Sequence, residues 1–306
     1  MVPHVFAMHP GGTKIPFFCC APAGGVVFPC YHLLKYWDPE RPFYAIQEPS
    51  LNPQQPLYRS VEDLAKDNVA AMREVQPKGP YLLAGWSFGA MVALEMAQQL
   101  VRDGERVALL AILDMRVNGP GRKSPFANMK PRQMAIAVPK LILTVFSYTG
   151  PYFRDGIYIM FTNVARGDTG ASWPVRKLCA GINAFFGRAP VVDVIEANPH
   201  LDGISTPTLF RCLRVLWNNI AIMRKYSPQP VRAPIVLLKA ANNAELGLHD
   251  DDPAMGWGEI AQEGLEVVDV PGNHVVIMLH PSIEVLAERL LRSLDYATAA
   301  ECPAVR

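Results

Sequence analysis

The chain has 306 residues and a net charge of +1, with half of its residues hydrophobic and 19% charged. This composition supports a sizeable packed core and excludes intrinsic disorder. The near-neutral charge, with basic residues dispersed, gives no electrostatic ground for a nucleic-acid or anionic-membrane partner.

The opening "MVPHVFAMHPGGTK" lacks the basic and apolar regions of a signal peptide, and residues 1–14 read as an N-terminal extension or linker. "IPFFCCA" (15–21) then reads as a buried strand ended by the turn "PAGG". "VFPCYHLLKYW" (27–37) fits a helix with Pro29 in its first turn. "PFYAIQ" (42–47) is a second strand. Ser60 opens a capping box with Asp63, and apolar residues from Val61 to Val75 keep helical spacing. "YLLAG" (81–85) is a strand, Phe88–Val101 a helix, and "RVALLAILDM" (106–115) an apolar strand ending on a charge.

From 116 to 230 the alternation stops, and apolar helical pieces are broken by Pro and Gly. It resumes with "APIVLLKAA" (233–241), a helix near 254–263, "LEVVDV" (265–270) and a closing helix, Pro281–Leu294. Continuously apolar strands alternating with helices predict an α/β fold, its mostly parallel sheet covered on both faces. The core is expected at 15–115 and 231–294, with 116–230 as a large helical lid insertion and 295–306 as a flexible tail. The insertion is too long for a bare loop. No segment reaches the roughly 18 apolar residues of a membrane span. Cys19, Cys20, Cys30, Cys179, Cys212 and Cys302 show no paired spacing, which points to reduced thiols and a cytoplasmic location.

Gly85-Trp86-Ser87-Phe88-Gly89 matches G-x-S-x-G in the strand–turn–helix setting that this motif requires. The turn is tight, and a Cβ at either glycine would crowd the neighbouring strand or helix. The competing reading is a Gly-Ser turn with a helix-capping serine. A serine hydroxyl needs a base to become a nucleophile. In α/β-hydrolases the partners follow in the order serine, acid, histidine. His274, just after the last strand, fits the base, whereas His280 at the entry to the closing helix reads as a capping or surface residue. Asp114, at the end of the strand after the nucleophile helix, is preferred as the acid. The rivals are Asp250, Asp251 and Asp252, since many α/β-hydrolases place their acid after that later strand.

These segments resemble the thioesterase domains of polyketide synthases and nonribosomal peptide synthetases, within the α/β-hydrolase superfamily. "FFCCAPAGGVVFPCYHLLKYWDPERPFYAIQ", "GPYLLAGWSFGAMVALEMAQQL" and "GWGEIAQEGLEVVDVPGNHVVIM" carry the likeness, which covers about 15–115 and 220–294 and is weak over 116–219. Asp114 follows Ser87 by 27 residues, as expected where the acid follows the next strand. The resemblance implies an acyl chain presented as a thioester on the 4'-phosphopantetheine of an acyl or peptidyl carrier protein, with no bound cofactor and no metal. Ser87 would attack, His274 would take its proton, and Asp114 would hold the imidazole. The oxyanion donors would be the N–H groups of Phe88 and Ala23. Trp86, Gly24 and Gly25 would meet substrate, as would Phe146 and Tyr152 in the insertion, whose apolar side chains suit a hydrophobic acyl group.

The acyl-enzyme would be released by hydrolysis or by cyclisation. Alternatives are a discrete editing thioesterase, a general carboxylesterase and a non-catalytic acyl-binding protein. Trp86 and the long insertion speak against the first, the absence of an "HGGG" turn against the second, and the intact serine, histidine and acid against the third. The short start before the first strand fits a domain excised from a longer synthase.

Overall fold

The computed structural model describes residues 4–120, 206–243 and 252–299. The chain divides into two compact units, Met1–Met129 with Val215–Arg306, and Lys130–Arg214. The first holds a seven-stranded sheet of order β1-β3-β2-β4-β5-β6-β7. Its strands are β1 (Val5–His9), β2 (Phe17–Cys20), β3 (Phe43–Ile46), β4 (Tyr81–Trp86), β5 (Val107–Leu113), β6 (Ile235–Ala240) and β7 (Leu265–Val270). All pair in parallel except β1, which runs antiparallel to β3. The expected α/β-hydrolase sheet is therefore present.

Helices cover both faces. On one side α2 (Val61–Val75) and α3 (Phe88–Arg102) pack their apolar residues against Phe18, Leu83, Leu110 and Leu237. On the other, α1 (Tyr31–Leu34) and a closing helix (Ser282–Ala299) cover Phe17, Leu82, Leu109 and Leu238. The Ser60 side chain accepts from the Asp63 N–H at 3.1 Å, so the expected cap opens α2. Helix α3 buries every residue from Phe88 to Gln98, which explains its run of Ala, Leu and Met. Its buried Glu95 is satisfied by Arg102 at 2.9 Å and the Tyr226 hydroxyl at 3.0 Å. Cys19, Cys20 and Cys30 are free and buried, and burial pushes the Cys20 thiol up, away from the reactive thiolate.

Four expectations are corrected. Residues 1–14 are not merely an extension, because Val5–His9 adds an edge strand to the sheet. The helix expected over 27–37 is a 3₁₀ turn, Phe28–Cys30, followed by the one-turn α1. Trp37 leaves the helical path to pack its ring 5.1 Å from Phe17 and 4.6 Å from Phe43. The helix expected near 254–263 is only a 3₁₀ turn, Trp257–Glu259, preceded by Gly256 at φ +84°. The closing helix runs to Ala299, so residues 295–299 are helical rather than a flexible tail.

The limits placed at 116 and 230 also shift, because the ends of the expected insertion pack with the sheet unit. Val117, Val215 and Tyr226 are buried, and the Val117 N–H donates to Met255 O at 2.9 Å. In the helix α4 (Thr206–Met223), Val215 and Ile222 are buried. Phe146 and Tyr152 lie outside the described residues, as do Cys179 and Cys302. No described helix is long and apolar enough to cross a membrane.

Arg41 explains why the last helix continues. Its guanidinium is fully buried and donates to Ile15 O at 3.0 Å and to Asp295 at 2.8 Å, while Lys14 adds a contact to Asp295 at 2.9 Å. Asp295→Ala leaves a buried cation without its counter-charge. Asp295 is half exposed, which puts the loss between those of a surface and a buried pair, at about 2 kcal/mol. Urea unfolding should show a lower midpoint at unchanged slope.

Candidate active site

Strand β4 passes directly into helix α3 through Ser87, whose backbone is held at φ +55° and ψ −126°. This is a left-handed conformation for a residue with a Cβ, costing about 1–3 kcal/mol. The flanking glycines make it attainable. A Cβ on Gly85 would strike the backbone of Gly89 and Ala90, and one on Gly89 the carbonyls of Cys20 and Ala21. Strand and helix therefore lie in backbone contact. The Ser87 N–H donates to Leu113 O at 3.1 Å, tying the turn to β5.

His274 stands beside the serine. Its Nε2 is 3.0 Å from Ser87 Oγ, and its Nδ1 is 2.7 Å from Asp114 Oδ2. With the proton on Nδ1, the ring donates to Asp114 and accepts from the Ser87 hydroxyl, the polarity that a general base requires. His274 follows β7 through Gly272, at φ +96°, where a Cβ would strike Val276 and Ser282. The neighbouring Asn273 caps the next turn, accepting from the Val275 and Val276 N–H groups at 3.1 and 3.3 Å.

Asp114 directly follows β5 and is 1% exposed. A carboxylate so deeply buried needs a donor on every side. It receives the Ala240 N–H at 2.8 Å on Oδ1, His274 on Oδ2, and the Asn243 amide at 2.9 and 3.0 Å on the two oxygens. Asn243 also accepts the His274 main-chain N–H at 2.7 Å. Sequence reading did not single out Asn243. Its only signal is a polar residue three positions beyond the last residue of β6. Trp86 is half-buried, its indole N–H donating to His274 O at 3.2 Å. It thus braces His274, a contact distinct from the substrate contact expected of it.

The turn after β2 lies in the same layer. Pro22 O accepts from the Gly25 N–H at 2.8 Å, which fixes the Pro22–Ala23 peptide plane and turns the Ala23 N–H to the opposite side. The buried Asn219 of α4 donates to Ala23 O at 3.0 Å and holds the next peptide. A Cβ on Gly25, at φ +79°, would meet Glu48, whereas one on Gly24 would meet open space. Phe88 occupies the first position of α3, where N–H groups have no partner within the helix.

The rival residues lie elsewhere or beyond description. His280 sits with its Nδ1 3.4 Å from the Tyr36 hydroxyl, in a small surface cavity lined also by Tyr31, His32 and Lys35. Asp252 accepts the Ala254 and Gly256 N–H groups at 2.9 and 2.7 Å and shapes its own turn. Asp250 and Asp251 lie outside the described residues.

Comparison with known proteins bears on this arrangement. Residues 15–135 match the family model of the thioesterase domain. Malpibaldin synthetase of Mortierella alpina is 41% identical over 110 residues, which is 36% of this chain and 2% of that protein. The probable non-canonical nonribosomal peptide synthetase CymA of Salinispora arenicola (strain CNS-205) is 28% identical over 289 residues, 93% of this chain and 3% of that protein. The chain thus spans only a few per cent of the length of these relatives. The fold matches SrfTE, the thioesterase domain that cyclizes the lipopeptide antibiotic surfactin. The TM-score is 0.63 at 15% identity, covering 96% of both chains. The resemblance to thioesterase domains of the nonribosomal peptide and polyketide synthase type thus holds in sequence, and the fold matches as well.

The close strand–helix contact supplies a test. Replacing a helical glycine by alanine ordinarily stabilises by about 1 kcal/mol. Gly89→Ala is expected to reverse that sign and destabilise by about 1–3 kcal/mol, because the rigid Cys20 and Ala21 carbonyls cannot yield. Denaturant midpoints of the two proteins decide it.

Proposed function

We propose that this domain releases an acyl chain, polyketide, fatty acyl or peptidyl, from the phosphopantetheine thioester of a carrier protein through an acyl-enzyme on Ser87. The observation that carries this is the continuous relay from Ser87 Oγ through His274 to the buried Asp114, at 3.0 and 2.7 Å. The likeness to thioesterase domains supplies the substrate class.

The proposed chemistry uses that geometry. Ser87 Oγ attacks the thioester carbonyl as His274 Nε2 takes its proton. The charge that appears on the imidazole is met by Asp114, already oriented on Nδ1. The developing oxyanion is received by the N–H of Phe88, at the positive end of α3, and by that of Ala23. His274 then returns its proton to the pantetheine sulfur, which leaves as the thiol. Water, or a hydroxyl or amine of the acyl chain itself, is deprotonated by His274 and attacks the ester; the Ser87 Oγ–acyl bond breaks and His274 returns the proton to Oγ, restoring the hydroxyl. The first route gives an acid, the second a ring.

A carrier protein is the partner this reading requires, and Trp86, Gly24, Gly25, Phe146 and Tyr152 are the positions proposed to meet a hydrophobic acyl group. Residues 116–230 are proposed to supply its lid and pocket. The carrier arm belongs to the substrate, so the reading calls for no bound cofactor or metal. The proposed location is the cytoplasm.

Two measurements test the proposal. Ser87→Ala should abolish turnover of a pantetheine thioester while preserving the fold, and Asp114→Asn should lower kcat by roughly 10⁴-fold through the wrong imidazole tautomer. Mass spectrometry of products from a panel of pantetheine thioesters and matched simple esters should show much faster turnover of the thioesters. Equal rates would make the protein a general esterase, and retained activity in Ser87→Ala would remove the serine mechanism.

A further inference from the structure

We infer that Asn243 is a positioning residue of the relay, holding the acid and the base in one rigid unit. The inference rests on reading Ser87, His274 and Asp114 as that relay. One side chain makes both connections. The amide nitrogen reaches both carboxylate oxygens of Asp114, at 2.9 and 3.0 Å, and the amide oxygen accepts the His274 main-chain N–H at 2.7 Å.

Each contact constrains a different freedom. A carboxylate held only by His274 and the Ala240 N–H could rotate about its Cβ–Cγ bond, carrying Oδ2 off the imidazole. The amide nitrogen, bridging both oxygens, opposes that rotation. His274 stands between Gly272 and a short 3₁₀ turn, with no helix or strand of its own to set its height. The bond to Asn243 ties its main chain to the end of β6. An amide is suited to both tasks, since it donates on one side, accepts on the other and carries no charge.

The position also has a chemical logic. Asn243 follows β6, the place where many α/β-hydrolases carry their acid. Here the acid comes from the end of β5, and the β6 end contributes a neutral donor that supports it. A carboxylate at 243 would set two like charges against each other in a buried site.

Asn243→Leu keeps the approximate volume and removes both bonds; Asn243→Ser, smaller and unable to span the gap, is the second variant should leucine impair folding. In the folded variant kcat is expected to fall by about 10- to 100-fold, the scale of a hydrogen bond to a charged group, with KM within a factor of three. The rate of Ser87 labelling by a fluorophosphonate should fall in parallel. The low-field proton resonance of the His274–Asp114 bond should move upfield and broaden, because a carboxylate free to rotate holds the imidazole proton less closely. A folded variant with unchanged kcat, labelling rate and resonance overturns the inference. So does a change in KM alone, which would make Asn243 a substrate contact. If the unsubstituted protein itself is not labelled at Ser87, the reading of the relay fails instead.

Discussion

The contact between β4 and α3 is the constraint on which the site depends. Gly85 and Gly89 let the two backbones touch, and only then can the chain reverse at Ser87 with φ at +55°. Everything else is arranged around that point. Cys20 of β2 pairs with Gly85, and Gly85 pairs with Ile112 of β5, so the strands on either side deliver the Ala23 turn and Asp114 to the same edge. The strain at Ser87 is sustained because the surrounding core is apolar, close-packed and unable to relax around it.

The polar groups in this layer form a chain of dependence. Asp114 is buried and needs donors; Ala240, Asn243 and His274 supply them. His274 needs a fixed ring; Trp86 holds its carbonyl and Asn243 its N–H. The peptides around Ala23 are fixed by Pro22, Gly25 and Asn219. No member is satisfied by solvent alone, so each acts as a constraint on the next.

Much of this was legible in the sequence. Largely apolar runs marked β2 to β6, β7 was legible despite Glu266 and Asp269, and the pattern around Ser87 carried its own context. The preference for Asp114 followed from its place at a strand end, and the structure brings it to the imidazole. What escaped was information held in tertiary partners. Val5–His9 forms an edge strand with one mostly exposed side, so its run is short and mixed. Trp37 is pulled from a helical pattern by two aromatic rings. Asn243 is one polar residue in a polar stretch, and nothing local distinguishes it from its neighbours. Asp295 looks like the start of a loose tail until the buried Arg41, distant in sequence, is seen to require it.

The pairing of β5 with β6 has a consequence for how such a protein can change. Leu113 pairs with Leu238, and the Asp114 N–H bonds to Leu238 O, so the sheet is sutured on both sides of the long intervening segment. The parts of that segment nearest the sheet are not free to vary, because Val117, Val215 and Tyr226 are buried and Asn219 holds the Ala23 carbonyl. Ser87, His274 and Asp114 are all fixed outside the segment. Changes confined to the stretch between those anchors would leave the three residues and their mutual distances in place, so that the relay and that stretch can evolve separately.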